Sequence, residues 1–207
     1  MDRGKFITFE GGEGTGKSTQ CQLLADYLRL RGKEVIITRE PGGTEGAELI
    51  RALLVSGDVN RWSGISEALL LNAARVDHWE KVIKPALDSG TWVICDRFAD
   101  STIAYQGYGR GLDVNFLRNM HESVLSNVWP DLTFIFDLDP KIGINRALSR
   151  HTSEIRFEKL DLSFHDRMRS GYLEIAKASP NRCRIINADL DIPDVHQEII
   201  SAVKSFS

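Results

Sequence analysis

The chain has 207 residues, of which 42% are hydrophobic and 27% are charged, a composition typical of one globular domain with a substantial core. Its formal net charge of -3 argues against a dedicated nucleic-acid-binding protein, which normally carries a basic surplus. No apolar run approaches the roughly 20 residues that span a bilayer, so no membrane segment is expected.

The predicted elements alternate between strand and helix along the chain. Apolar residues recur at helical spacing between Ser18 and Leu30, whereas the strand candidates are short apolar runs bounded by turn residues. The predicted strands are Phe6–Phe9, Val35–Thr38, Trp92–Cys95, Leu132–Phe136 and Arg184–Ile186. The predicted helices cover about 18–30, 44–55, 65–88 and 193–203, with further helical segments between the later strands.

Strands that alternate with helices predict an α/β fold in which a five-stranded parallel sheet is flanked by helices on both faces. Residues 1–207 show no repeat, linker or low-complexity stretch, and we expect a single domain. The segment from Ser149 to Glu158 is polar and lacks apolar periodicity, which predicts a mobile surface loop.

The sequence GGEGTGKS, from Gly11 to Ser18, follows the first predicted strand and precedes a predicted helix. It fits the pattern G-x-x-x-x-G-K-[ST], in which backbone N–H groups surround phosphate oxygens, lysine reaches the β- and γ-phosphates and the hydroxyl binds Mg²⁺. The residues expected at ATP here are Gly11, Gly12, Glu13, Gly14, Thr15, Gly16, Lys17, Ser18 and Thr19. By itself the motif does not separate a small-molecule kinase from a GTPase or a motor.

Asp96 and Arg97 follow the third predicted strand, and ligands of open parallel sheets lie beyond the carboxyl ends of the strands. A carboxylate there can hold Mg²⁺ together with Ser18, and an arginine can clamp a phosphate through two N–H groups. The alternative is an ion pair that only ties the strand end to its loop. With the phosphate loop nearby, the functional interpretation is favoured.

Leu71, Arg75 and His78 fall on one face of the helix predicted over 65–88. An arginine on an inward face needs an acceptor, such as a base carbonyl. The alternative is an arginine at the edge of the core with a buried stem and a solvated head. His78 is interpreted as structural, since no nucleophile accompanies it.

Taken together, the motifs resemble those of bacterial thymidylate kinases over essentially the whole chain. The resemblance rests on the phosphate loop, TREPGGT (Thr38–Thr44), LLLNAAR (Leu69–Arg75), DRFADSTIAYQGYGRG (Asp96–Gly111) and RFE (Arg156–Glu158). It implies a P-loop nucleoside monophosphate kinase fold and transfer of the γ-phosphoryl group of ATP to dTMP, giving dTDP and ADP for dTTP synthesis. It also implies Mg²⁺ as cofactor, a homodimer and a lid segment at about 146–158.

The resemblance also implies roles for individual residues. Arg97 is similar to the arginine that holds the dTMP phosphate, and Arg75 to the one that reads thymine O4. Ser101 and Thr102 match the position at the base N3 edge, and Tyr105 lies near the sugar. The implied substrate-binding residues are Glu13, Glu40, Pro41, Leu71, Arg75, Arg97, Ser101, Thr102, Tyr105 and Gln106.

Gly14 stands where one branch of the family carries a catalytic arginine, so the resemblance implies that the lid supplies it here. Arg150 is the first candidate and Arg156 the second, whereas Arg146 is expected to border the adenine or its phosphates. With Lys17 and Arg97, the two candidates complete the expected catalytic set. The alternative for these lid arginines is a solvated helix end.

Two positions depart from the family pattern. Leu71 replaces a common aromatic residue that stacks on thymine, which removes an aromatic contribution of about 0.5–1.5 kcal/mol. Ile155 replaces the usual aspartate before Arg156, and Glu154 leaves an acid nearby. These departures put the lid's internal pairing and the base stacking in question, not the reaction class.

Rival functions make different demands on the sequence. A kinase for UMP, AMP or GMP would share the fold, and Arg75 and Tyr105 favour dTMP. A regulatory GTPase needs Asn-Lys-x-Asp, which the sequence lacks, and a nucleic-acid ATPase fits poorly with the acidic charge. The odd number of widely spaced cysteines and the motif beginning at Gly11 predict a cytoplasmic protein without a signal peptide. A monomer remains the alternative to the homodimer.

Overall fold

The computed structural model describes residues 3–149, 156–157 and 159–206. Arg150, Glu154, Ile155 and Glu158 lie outside the described residues. The predicted catalytic role of Arg150 is therefore not tested by the structure. Of the segment 149–158, which was predicted to be a mobile loop, only residues 149, 156 and 157 are described.

Within the described chain, strands and helices alternate as predicted. The strands are β1 Phe6–Gly11, β2 Val35–Arg39, β3 Trp92–Asp96, β4 Leu132–Asp137 and β5 Cys183–Asn187. The α-helices are α1 Lys17–Arg29, α2 Glu45–Val55, α3 Gly64–His78, α4 Lys84–Asp88, α5 Ala99–Thr102, α6 Val114–Leu125, α7 Pro140–Leu148, α8 Leu162–Ala178 and α9 Ile192–Phe206. Two π-helical segments, Trp79–Ile83 and Ile103–Gly109, complete the helical structure of the described residues.

The five strands form one parallel sheet in the order β2-β3-β1-β4-β5. β1 lies at the centre beside β3, with Phe9 opposite Asp96 in the register. The carboxyl end of β1 opens into the phosphate loop, and the carboxyl end of β3 carries Asp96 and Arg97. The pairing of β1 with β3 therefore brings the two predicted sites together.

Alternating side chains of the strands feed apolar cores on the two faces of the sheet. On one face, Ile7 and Phe9 of β1 pack with Leu24 of α1 and Ile199 of α9. On the other face, Ile135 of β4 packs among residues of α8 and the second π-helical segment. Both faces of the sheet are thus covered, and the predicted class, α/β with helices on both faces, is confirmed.

The helix predicted over 65–88 runs without a break from Gly64 to Asp88, but it contains a π-helical turn. α3 ends at His78, the π-helical turn Trp79–Ile83 follows, and the N–H of Lys84 bonds the carbonyl of Trp79, one residue wider than in an α-helix. Pro85 gives a physical reason, because its ring has no N–H and clashes with the carbonyl of the preceding α-helical turn. The long helix is therefore confirmed in its extent, and only the π-helical turn within it was not predicted.

No helix among the described residues combines the length and apolar character that a bilayer crossing requires.

Candidate active site

The phosphate loop needs its glycines for backbone conformation and for space. Gly14 and Gly16 have φ values of 65° and 87°, in the left-handed region that side chains disfavour. A Cβ on Gly14 would also lie 2.1 Å from the carbonyl oxygen of Gly143 in α7. Gly16 caps α1 without a side-chain hydrogen bond, so the first N–H groups of the helix stay available to an anion.

Lys17 folds back into the phosphate loop. Its Nζ donates to the carbonyl oxygens of Gly12 at 2.7 Å and Gly11 at 3.2 Å, and the residue is buried. Burial, reinforced by the charge of Arg97, lowers the pKa of Lys17 to about 8. Phosphate oxygens placed in the loop would favour its charged form, so the lysine is ready for a polyphosphate ligand.

Ser18 and Asp96 meet beside the loop, where the Ser18 Oγ donates to the carboxylate of Asp96 at 2.6 Å. The described residues contain no group of three or more His, Cys, Asp or Glu side chains suited to a metal ion. Mg²⁺ in phosphoryl-transfer enzymes is typically held by one or two hard oxygen ligands and the substrate phosphates. A hydroxyl and one carboxylate at this position therefore fit Mg²⁺.

A cleft of about 720 Å³, including its open mouth, lies beside the phosphate loop. It is bounded by the loops after β1, β2 and β3, by α2 and α3, by the second π-helical segment and by Phe157. The predicted substrate-binding residues that line it are Glu13, Glu40, Pro41, Leu71, Arg75, Arg97, Ser101, Tyr105 and Gln106. Thr102 lies behind them, where its Oγ1 accepts from Arg75 at 3.0 Å.

Arg97 lies where the cleft meets the phosphate loop. Its backbone has φ 74°, which is uncommon for a residue with a side chain and typical of strained functional positions. The guanidinium donates to the carbonyl of Gly11 at 2.8 Å and to the carboxylate of Glu13 at 2.5 Å. The strained backbone and these bonds hold the cation between the donor side and the acceptor side.

Glu13 joins Arg97 to Tyr105, whose hydroxyl donates to the Glu13 carboxylate at 2.5 Å. Burial acts to raise the pKa of Glu13, but the charges of Arg97 and Lys17 outweigh it and the pKa falls below its ordinary value. Glu13 is therefore an ionised acceptor at the wall of the cleft.

Glu10, which the sequence analysis did not single out, lies fully buried behind Arg97. Its carboxylate accepts from the Ser101 hydroxyl at 2.5 Å, the N–H of Phe98 at 2.7 Å and the Tyr172 hydroxyl at 3.1 Å. Burial, with the charge of Asp100, raises the pKa of Glu10 to about 7. Ser101 and Tyr172 also contact the Arg97 guanidinium, so Glu10 supports the arginine from behind.

Arg75 lines the cleft from α3 and is 2% exposed. Its Nε donates to Glu40 at 2.7 Å, and its Nη2 donates to the carbonyl of Phe98 and to Thr102. Glu40 also contacts the ring of His78 at 3.2 Å, which agrees with the structural interpretation of this histidine. The Nη1 of Arg75 has no hydrogen-bond partner among the described residues, and a ligand in the cleft could provide one.

The two described lid arginines occupy different places. Arg146 lies over Gly14 and reaches toward the carbonyl of Ala188, beside the phosphate loop. Arg156 is buried with its guanidinium on Glu67 and on backbone carbonyls of the segment after α2. The structure does not bring Arg156 to the phosphate loop, and its assignment to the transferring phosphate stays a prediction.

Some residues at the cleft were not predicted. These are Arg51, Val55, Phe98 and Phe157 in its lining, with Glu10, Glu67 and Tyr172 behind it. A weak signal existed for the two glutamates, because Glu10 interrupts an apolar strand and Glu67 directly precedes the apolar run of α3. Phe98 and Phe157 lie within quoted family motifs but were given no role there, and the remaining residues carry no distinguishing pattern.

Comparisons with known proteins identify the family. The model of the family described as "Thymidylate kinase" matches residues 9–199. The thymidylate kinase of Caulobacter vibrioides is 51% identical over 203 residues, covering 98% of this chain and 97% of that protein. That of Ruegeria pomeroyi is 48% identical over 200 residues, covering 97% and 94%.

A solved structure agrees with the sequence comparisons. The crystal structure of thymidylate kinase from Ehrlichia chaffeensis superposes with a TM-score of 0.81 at 40% identity, covering 97% of this chain and 99% of that one. The chain is therefore similar to thymidylate kinases over nearly its full length, and its sheet carries a phosphate loop with a cleft beside it. The chain belongs to the thymidylate kinase family, and it is a phosphotransferase.

Proposed function

We propose that the protein transfers the γ-phosphoryl group of ATP to dTMP, with ATP on the phosphate loop and dTMP in the adjacent cleft. One observation carries the proposal for the acceptor: the cleft is lined by two arginines with different tasks, the buried Arg75 and the partly exposed Arg97. Arg97 adjoins the phosphate loop, and Arg75 keeps its Nη1 without a partner among the described residues. A nucleoside monophosphate offers an anionic phosphate to the first and a base carbonyl to the second.

On the donor side, the N–H groups of the loop and the Nζ of Lys17 hold the β- and γ-phosphates. Ser18 and Asp96 would hold Mg²⁺, directly or through water, and the ion would neutralise charge on the phosphates. Residues of this chain then have to position the phosphates and exclude water, since phosphoryl transfer needs little covalent help from a protein.

On the acceptor side, Arg97 orients the dTMP phosphate, whose anionic oxygen attacks the γ-phosphorus without a general base. One P–O bond forms to the acceptor, the bond to the β-phosphate oxygen breaks, and ADP leaves. Glu13 stays ionised and accepts from the 3′-hydroxyl of the sugar, while Tyr105 packs against the sugar. Ser101 and Gln106 complete the wall, and Thr102 fixes Arg75 toward O4.

The lid supplies the remaining positive charge in this proposal. Arg150 is assigned to the transferring phosphate and Arg156 is the second candidate, while the place of Arg146 over Gly14 supports a role at the ATP phosphates or adenine. An arginine that stabilises transferring charge contributes about 10³-fold or more to the rate. Arg150→Ala is expected to lower turnover far more than ATP affinity, and turnover near that of the wild type would refute the assignment.

The test of the reaction is an ADP-release assay with ATP and Mg²⁺, in which dTMP, dUMP, UMP, dCMP, dGMP and AMP are offered separately. Strong turnover with dTMP, weaker turnover with dUMP and little with the others is expected. Preference for another monophosphate would overturn the acceptor assignment and leave the donor site intact. Absence of acceptor-dependent turnover would contradict the kinase function itself.

We further propose a homodimer in the cytoplasm. Ile65 and Leu69 on α3 and Phe116 on α6 are large apolar side chains that are about half exposed, and α3 packs beside α6. Cys21, Cys95 and Cys183 are buried free thiols, which suits a reducing compartment. Sedimentation at micromolar concentration is expected to give a dimer that Leu69→Glu dissociates; a monomeric wild type would contradict the proposal.

A further inference from the structure

A second buried charge cluster lies beside the cleft, and it is centred on Glu67 in the first turn of α3. The Glu67 Oε1 accepts from Arg156 at 2.6 Å and from Arg110 at 2.7 Å. The Oε2 accepts from Gln106 at 3.0 Å and from the Nε of Arg110 at 3.1 Å. The carboxylate is fully buried, and its four hydrogen bonds join three segments that are distant in sequence.

Arg156 extends this Glu67 cluster to the chain segment after α2. Its Nη1, Nε and Nη2 donate to the carbonyl oxygens of Leu54, Asp58 and Val59 at 2.8–3.0 Å. Burial of one carboxylate with two guanidinium groups costs solvation free energy, and well-packed apolar residues would give similar or greater stability. The cluster is therefore better explained by the geometry that it imposes than by stability.

The geometry matters because two arms of the cluster, through Gln106 and through Arg156, end at the wall of the cleft. Gln106 lines the cleft directly, Val55 lies next to the carbonyl of Leu54, and Phe157 follows Arg156 in the chain. The Phe157 ring meets Tyr105 edge to face, with centroids 5.6 Å apart. Glu67 thus holds three wall residues without lining the cleft itself.

Glu67 also decides which end of the Gln106 amide is available. Both Glu67 oxygens accept from arginine N–H groups, and the Oε2 also accepts from the NH₂ group of Gln106, which therefore faces Glu67. The amide oxygen then stays buried, with no partner among the described residues. It can accept from an N–H of a bound base or from a water that bridges to it.

We infer that Glu67 is a positioning residue for the acceptor nucleotide. It acts through Gln106, whose amide it orients, and through Arg156, which holds Phe157 and Val55 against the cleft. This inference rests on the proposed function, because it takes the cleft to be the dTMP site. It assigns to Arg156 a task in acceptor binding that is separate from any contact with the transferring phosphate.

The experiment measures dTMP binding by calorimetry in the absence of ATP, so that no phosphoryl-transfer role of Arg156 enters. Glu67→Gln keeps the shape of the side chain and removes its charge, and it is expected to weaken dTMP binding about tenfold, the value of one charged hydrogen bond. ATP binding is expected to be unchanged. In turnover, the KM for dTMP should rise by a larger factor than kcat falls. Glu122→Gln, an exposed glutamate of α6, is the matched control and should bind dTMP like the wild type.

Arg156→Lys is a second variant that keeps the buried charge and loses the planar fork, in case Glu67→Gln folds poorly. It is expected to weaken dTMP binding by roughly three- to tenfold without changing ATP binding. The double variant should bind dTMP with about the affinity of the more affected single variant, because both substitutions act through one cluster.

The outcomes separate the two claims. If the wild type does not bind dTMP, the proposed function fails. If the folded variants bind dTMP as well as the wild type does, the positioning role of Glu67 is wrong. The role is also wrong if the losses of dTMP affinity in the two single variants add up in the double variant. A variant that loses ATP and dTMP affinity alike has only a structural defect, which would also overturn the inference.

Discussion

The donor side and the acceptor side of this protein are built in different ways. The donor side is a continuous stretch from Gly11 to Ser18, and backbone groups and glycine conformations make most of it. The acceptor side is assembled from the ends of three strands, from α2 and α3, and from Phe157. Its functional groups are side chains held by other side chains, such as the buried Arg75 by Glu40 and the partly exposed Arg97 by Glu13.

This difference follows from what each side has to recognise. A backbone loop recognises phosphate, which all nucleoside triphosphates share, so it needs no particular side chain beyond lysine and a hydroxyl. Recognition of one monophosphate needs polar groups at fixed positions in a desolvated site, where an unmatched partner is costly. The acceptor side therefore depends on supporting charges such as Glu10 and Glu67, and the donor side does not.

The largest effect is expected on the donor side. Lys17→Ala should lower turnover by about 10³-fold, because the γ-phosphate loses its closest protein cation. dTMP binding measured without ATP should be unchanged if the two sides are separate. Gln22→Ala, on the exposed face of the same helix, is the control and should behave like the wild type. A similar loss of dTMP affinity in Lys17→Ala would contradict the separation of the donor side from the acceptor side.

The next effect lies at the acceptor phosphate. Arg97→Met should weaken dTMP binding by roughly 10²-fold, since the loss of a hydrogen bond between charged groups costs about 1.5–3 kcal/mol. Calorimetric titrations with dTMP and with ATP measure the affinities of the acceptor side and of the donor side. Arg29→Met, which removes an arginine from an exposed pair with Asp26, should change neither. Equal losses for both nucleotides would show that Arg97 belongs to the donor side as well.

The third prediction uses the pKa of Glu10, which burial raises to about 7 from its ordinary value of 4.5. Between these pH values the folded protein keeps a proton on Glu10 that the unfolded chain releases, so rising pH removes stability through this group until pH exceeds 7. The free energy of unfolding of the wild type, relative to Glu10→Gln, should therefore fall by roughly 2 kcal/mol from pH 5 to pH 8. Urea denaturation at several pH values measures this difference. A difference that stays constant or rises with pH would contradict the role of buried charge behind Arg97.

The smallest effect concerns Leu71, an aliphatic residue that lines the cleft. Leu71→Phe should tighten dTMP binding by about three- to tenfold, because stacking adds roughly 0.5–1.5 kcal/mol. Leu30→Phe, at a highly exposed position after α1, is the control. Weaker binding of dTMP to Leu71→Phe would mean that this wall does not face the base.

The comparison also explains what could be predicted from the sequence. The phosphate loop and the five-stranded sheet were predictable because their signals are local: consecutive glycines, short apolar runs and helical spacing. The π-helical turn before Lys84 was missed because apolar periodicity does not record how Pro85 widens the helix. Arg97 was singled out by its place after a strand and Arg75 by its helix face, their roles came from the family resemblance, and their partners are residues far away in the chain.

The supporting residues of the acceptor side had no adequate sequence signal. Glu10 and Glu67 carry only a weak signal in the sequence, and Phe157 becomes a wall of the cleft only because Arg156 docks on the end of α2 and the segment after it. Such residues are defined by contacts across the fold, and sequence spacing does not determine those contacts.

The most direct test of the central claim is a crystal structure of the protein with dTMP bound. We predict that the phosphate lies within hydrogen-bond distance of Arg97, beside the phosphate loop, and that thymine O4 accepts from the Nη1 of Arg75. A nucleotide bound outside this cleft, or a base that leaves Arg75 unpaired, would contradict the division of the molecule into a backbone-built donor side and a side-chain-built acceptor side.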